Sequence, residues 1–100
     1  MKATKGRENV FSDLGFSSAE ARNLQMRSQL MTALRKFVEK KRLTQAEAGR
    51  RLKVTQPRVS DLMRGKITRF SLDTLVSMSS DAGLEVDLRI TAKPVSRRVA

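Results

Sequence analysis

The stretch TQAEAGRRLKVTQPRVSDLMRGK, residues 44–66, decides the fold. Thr44 followed three residues later by Glu47 has the spacing of a capping box, in which each side chain accepts the other residue's backbone N–H. A helix therefore starts at Thr44. Ala46, Ala48 and Leu52 give it one narrow apolar stripe, and Lys53-Val54 breaks the pattern. Thr55 is a second N-cap. Pro57 fits a first turn, whose N–H groups have no helical acceptor. Val59, Leu62 and Met63 follow at helical spacing, and Gly65 stands where a helix ends in a left-handed residue. Two short helices joined by a tight turn are the layout in which the second helix enters the major groove of DNA.

Upstream, Ser17-Ser18 offers an N-cap with Glu20 in the first turn, and the run to about Arg42 holds no Gly or Pro. Leu24, Leu30, Met31, Leu34, Phe37 and Val38 form a helical stripe, with Arg27, Arg35, Lys36, Lys40 and Lys41 mostly off it. This predicts a long amphipathic helix on which the motif packs. Lys40-Lys41-Arg42 suits its negative end. Downstream, Ile67 and Phe70 are core contacts in a connecting loop. Ser71 and Thr74 frame another helix start. Leu72, Leu75, Val76, Met78 and Ala82 carry that helix to Gly83.

At Leu84 the period changes. Leu84, Val86, Leu88 and Ile90 alternate with Glu85, Asp87 and Arg89, the pattern of a half-buried strand. A lone strand leaves its backbone groups unpaired, and the chain holds no convincing second strand. Pairing with another copy would give a two-stranded ribbon and a symmetric homodimer. Pairing with a different protein is the competing solution. Pro94 ends the strand. The domain layout expected is a flexible N-terminal segment at 1–16, a DNA-binding domain at 17–91 with its dimerisation strand at 84–91, and a basic flexible tail at 92–100. Within the first segment Val10, Phe11, Leu14 and Phe16 form an apolar cluster that either packs on the first helix or docks a partner.

Composition bounds the function. One hundred residues suffice for one small domain, and four aromatics, all Phe, give an aliphatic core. There is no Cys and no His, so disulfides, thiol chemistry and the commonest general base and metal ligand are absent. No Gly-rich phosphate loop or paired carboxylates appear either, so the chain is expected not to be an enzyme, with no catalytic residues, metal or cofactor. With no apolar signal region or membrane run, a cytoplasmic location away from membranes is expected. The net charge of +11 is uneven: +1 over residues 1–16, +5 over 17–43, +5 over 44–69, −3 over 70–91 and +3 over 92–100. A basic motif beside an acidic segment points to a polyanion on one side and a different partner on the other.

The motif resembles the helix-turn-helix of the Cro/repressor-like (XRE) family through Thr44-Gln45, Glu47, Arg51-Leu52, Val54, Gln56, Val59-Ser60 and Arg64-Gly65-Lys66. Lys53 stands where the family usually has Gly, and Gly49 where it usually has Ala. The resemblance implies a mainly α fold, a small helical bundle with a lambda-repressor-like helix-turn-helix, to which the alternation after Leu84 adds one C-terminal β-strand pairing between subunits. Across residues 9–91 the chain also resembles HigA-type antitoxins, which neutralise a small ribonuclease toxin and repress their shared operon. That implies a toxin-binding role for Val10, Phe11, Leu14 and Phe16. A stand-alone or prophage XRE-family regulator with no toxin is the alternative.

The partner expected is double-stranded DNA carrying a palindromic operator, bound by a homodimer through Leu84, Val86, Leu88 and Ile90. Base-edge contacts carry sequence information and phosphate contacts fix position. Gln can read adenine and Arg can read guanine bidentately. The expected base-reading set is Gln56, Arg58, Ser60, Asp61 and Arg64, with Asp61 accepting from cytosine or pairing with Arg58 or Arg64. The expected phosphate-binding set is Thr44, Gln45, Thr55, Lys66 and Arg69.

Overall fold

All four long helices begin on a hydroxyl side chain. In the computed structural model, which describes residues 10–92, these are α1 (Ser18–Lys40), α2 (Gln45–Leu52), α3 (Gln56–Met63) and α4 (Leu72–Asp81), with a short 3-10 turn (Ile67–Arg69) before α4. Ser17, Thr44, Thr55 and Ser71 each accept the N–H three residues on, and Glu20 and Glu47 complete capping boxes at the first two. The polar N-terminus at 1–9, Pro94 and the Arg97-Arg98 pair lie outside the described residues.

The four helices also stop alike. Arg42, Lys53, Gly65 and Gly83 take left-handed backbone, with φ of 54°, 59°, 71° and 81°. The next N–H then reaches back over the turn: Leu43 to the Val38 carbonyl, Val54 to Gly49, Lys66 to Asp61 and Leu84 to Ser79, all at 2.9–3.1 Å. Glycine adopts this conformation without strain at two of the sites. At Arg42 and Lys53 a side chain is held there, at about 1 kcal/mol each.

These caps fix short connections, and the apolar stripes do the rest. α1 packs on α4, α3 and the 3-10 turn, while α2 packs on α3 and α4. Leu34, Leu52, Val59, Leu62 and Leu75 are fully enclosed, with Met31, Phe37, Val38, Ala48, Phe70, Met78 and Ala82 around them. Two stripe assignments change. Ala46 is exposed and Gly49 is buried in its place. Val76 is exposed, because α4 turns Leu75, Met78 and Ser79 inward instead. Buried Ser79 is satisfied by donating to the Leu75 carbonyl at 2.8 Å.

Arg27 does more than decorate the polar face of α1. Its Nε donates to Asn23 at 2.7 Å, and its Nη1 donates to the carbonyls of Ile67 and Phe70 at 3.2 and 3.1 Å. One side chain thus ties α1 to both ends of the 3-10 turn.

The two ends of the described chain stay outside the core. Residues 10–13 form a single helical turn, and Phe11 meets Phe16 edge to face with ring centres 6.5 Å apart. Val10, Leu14 and Phe16 remain exposed. At the other end Leu84 packs on the core, but Val86, Leu88 and Ile90 are 44, 77 and 83 % exposed. The strand expected at 84–91 is not formed within one chain, which has no second strand among the described residues to complete its ladder.

Two stability measurements follow. Lys53→Gly should raise unfolding free energy by about 0.5–1 kcal/mol by removing left-handed strain, less the weak exposed Lys53–Asp81 pair. Gly49→Ala should lower it despite alanine's better helix propensity of about 1 kcal/mol, because the added Cβ would lie 2.8 Å from the Val54 carbonyl oxygen. Urea unfolding of both variants checks the opposed signs. Separately, Arg27→Met should cost about 1.5–3 kcal/mol in the same assay, since two carbonyls lose a charged donor.

Candidate nucleic-acid interface

α3 buries Val59 and Leu62, packs Met63 half-buried beside them, and turns its other side chains outward. At about 100° per residue, Pro57 and Arg64 stand opposite that buried side, Gln56 and Ser60 on one shoulder, Arg58 and Asp61 on the other. Thr55, Gln56, Pro57, Arg58 and Arg64 are exposed, and Ser60 and Asp61 half-buried. The sequence-derived base-reading set therefore lies on one helix, on its solvent side. Pro57, which was not in that set, sits at its apex. It cannot donate a hydrogen bond, so it can meet a base only through apolar contact such as a thymine methyl.

The two shoulders differ. Arg58 is folded toward the 3-10 turn, its guanidinium 5.3 Å from the Phe70 ring centre and its Nη1 2.6 Å from the Arg69 carbonyl oxygen. Asp61 pairs with Arg69 at 3.7 Å rather than with Arg58 or Arg64. Arg58, Asp61 and Arg69 thus form one cluster beside the 3-10 turn that Arg27 anchors. Gln56, Ser60 and Arg64 have no side-chain partner among the described residues.

The phosphate set flanks this face. Thr44 and Glu47 cap each other, which leaves the N–H groups of Gln45 and Ala46 without an acceptor among the described residues. Thr44, through its backbone N–H and then its side chain, holds the Glu47 carboxyl below its ordinary pKa, with Arg50 adding to the effect and burial opposing it. At α3 the Arg58 N–H is taken by the Thr55 hydroxyl at 3.4 Å and Pro57 has none, so Gln56 supplies the one open N–H of that first turn. Lys66 is half-buried and Arg69 exposed at the far end of α3.

Between α2 and α3 an open groove of about 440 Å³ is lined by Ala46, Gly49, Arg50, Lys53, Val54, Thr55 and Gln56. Arg50 and Lys53 are thus two further cations next to Thr55 and Gln56. Sequence reasoning passed over them, although Lys53 in the turn between two motif helices was the available signal. Among the described residues no cluster of His, Cys, Asp or Glu could hold a metal, and no helix is long and apolar enough to cross a membrane.

Comparison with known proteins agrees with this geometry. A family described as a helix-turn-helix domain matches residues 10–91. No curated protein matches the chain. A solved structure whose own name assigns it, provisionally, to the XRE family of transcriptional regulators is similar over 81 % of this chain and 91 % of its own, with 34 % identity and a TM-score of 0.70. The chain belongs to the XRE-type helix-turn-helix family.

Proposed function

We propose that the chain is a DNA-binding transcriptional repressor that acts as a homodimer on a palindromic operator, and that it is the antitoxin of a HigBA-like pair. The observation that carries the DNA half is the outer face of α3, where Gln56, Ser60 and Arg64 have no side-chain partner among the described residues, set between cations at both ends. Gln56 reads adenine, with Ser60 and Arg64 beside it, while Asp61 stays paired with Arg69. Thr44, Gln45, Thr55, Lys66 and Arg69 hold phosphates, joined by Arg50 and Lys53 from the groove.

Magnitudes decide the role of Arg58. Reading guanine would return about 1–3 kcal/mol. Leaving the Arg69 carbonyl and the Phe70 face would cost about 1.5–3 kcal/mol for the charged hydrogen bond and about 0.5–1 for the ring contact. The cost, about 2–4 kcal/mol in all, matches or exceeds the return, so Arg58 serves better as a fixed cation facing phosphate than as a base reader. Gln56, with nothing to give up, is the principal reader.

The dimer half is supported by Val86, Leu88 and Ile90, apolar side chains left in solvent by a single chain. Burial stabilises each such side chain by roughly 1.5–3 kcal/mol. The antitoxin half is supported by the second uncovered apolar surface, Val10, Leu14 and Phe16 with half-buried Phe11. A stand-alone XRE-family regulator is the other reading, and in it this surface has no toxin to meet.

Competition binding with single-base operator variants, at two salt concentrations, tests the DNA roles. Gln56→Ala should relax preference at one base pair by about 1–3 kcal/mol. Arg58→Ala and Lys66→Ala should weaken all sequences alike and flatten the salt slope by about one unit each. Lost discrimination at one base pair in Arg58→Ala would return that residue to reading. The footprint should show two half-sites with centres about 10 bp apart or a multiple of that.

Co-expression with the product of the small reading frame beside the gene tests the antitoxin role. A stable complex that relieves growth arrest is expected, and deletion of residues 10–16 should abolish it while operator binding persists. A harmless neighbour that forms no complex would leave the stand-alone regulator.

A further inference from the structure

The segment after α4 carries a self-complementary code. Leu84, Val86, Leu88 and Ile90 form one set of alternate positions and Glu85, Asp87 and Arg89 the other. Resting on the homodimer reading above, we infer that this arm pairs with the same arm of a second copy, antiparallel, in the one register that places the two-fold axis at Leu88.

Parity limits the possible registers. Directly opposite residues of an antiparallel pair point to the same face. A ribbon with one apolar face must therefore match apolar positions with apolar ones, and its axis must pass through a residue rather than between two. Four axes, Val86 to Arg89, keep at least three residues of 84–90 opposite the partner's, and the one at Asp87 keeps all seven. An axis at Val86 sets Glu85 against the partner's Asp87, twice. An axis at Asp87 sets Glu85 against the partner's Arg89, twice, but also sets the Asp87 carboxylate against its own copy at the centre. An axis at Arg89 sets two guanidinium groups against each other. An axis at Leu88 sets Asp87 against the partner's Arg89, twice, with no like charges opposed. It also sets Val86 against the partner's Ile90 and Leu88 against itself, which matches the three most exposed apolar residues of the arm with one another.

Charge admits a second copy as the occupant. The arm itself, residues 84–90, carries only −1, and in the Leu88 register its Asp87 and Arg89 are set against opposite charges, so the pairing offsets repulsion between the two copies. Leu84, at the root of the arm, packs against the core and fixes where the ribbon leaves each subunit.

The chain has no cysteine, so single-cysteine variants report the register cleanly. Only the residue on the axis faces its own copy, with Cβ atoms about 4.5–5.5 Å apart. The measurements are sedimentation of the wild type, mild oxidation of L88C and D87C, and self-association of D87R and R89D alone and mixed. All three positions are exposed, so circular dichroism should show the native helix content throughout. The wild type should be dimeric and L88C should cross-link in preference to D87C. D87R and R89D should each lose self-association on the order of tenfold or more, and their equimolar mixture should recover it as a heterodimer. A dimeric wild type in which D87C cross-links first and D87R still pairs would overturn the Leu88 register and leave the homodimer. A dimeric wild type with neither cross-link and no rescue on mixing would overturn the arm as the interface. A wild type that is monomeric at every concentration would remove the homodimer reading and this inference with it.

Discussion

The recognition face depends on a gap. A Cβ at Gly49 would lie 2.8 Å from the Val54 carbonyl oxygen and 3.7 Å from the Gln56 nitrogen, so the backbone of α2 runs directly against the turn that starts α3. The Val54 N–H closes the same turn onto the Gly49 carbonyl at 2.9 Å. This contact aims α3. Its consequence is the strain at Lys53, whose left-handed backbone lets the chain reverse in so few residues. One residue without a side chain and one residue in a conformation it dislikes together set the angle at which Gln56 and Arg64 leave the surface. The usual exchange is inverted here: glycine sits inside the helix and a cation sits at its end.

Much of this was legible in the sequence because it is local. Ser17, Thr44, Thr55 and Ser71 mark helix starts through hydrogen bonds that span three residues, and Gly65 and Gly83 mark ends. The core stripes follow from period alone, and so does the placing of the candidate readers on one helix. What was not legible depends on distant partners. Arg27 looks like any cation on the polar side of α1, and its acceptors are carbonyls 40 and 43 residues away. Arg58 reads as a free side chain until Phe70 and the Arg69 carbonyl are placed beside it. Asp61 reads from its own helix as a cytosine acceptor or a partner of Arg58 or Arg64, whereas the 3-10 turn brings Arg69. Ala46 is misplaced because a stripe of three residues, two of them alanine, does not fix where a short helix faces, and Val76 because five apolar residues span a wider arc of α4 than its buried side, which Leu75, Met78 and Ser79 fill.

The cluster beside the 3-10 turn gives these long-range contacts a common purpose. Arg27 holds the turn from α1, Arg69 on the turn pairs with Asp61, and the Arg69 carbonyl together with Phe70 holds Arg58. Hence the scaffold helix and the recognition helix are joined through main-chain groups of one short segment. Such a joint is stiff, because a displaced turn leaves several polar groups without partners at once. On a surface of net +11 it also keeps one carboxylate neutralised where a phosphate backbone would approach.

The same logic links the arm to the reading face. α4 packs on α1 and α2, and Leu84 continues that packing to the root of the arm. In the proposed dimer the position of the two-fold axis along the arm therefore sets how far apart the two α3 helices stand. A shift of the axis by one residue would do more than oppose like charges. It would reposition each arm by about one residue, roughly 3.3 Å along the strand, against a groove that admits little error in half-site spacing. Charge pairing between Asp87 and the second copy's Arg89 would then act on DNA recognition without touching DNA. Two weak opposite-charge contacts in the arm would choose the register, and the register would choose the operator spacing.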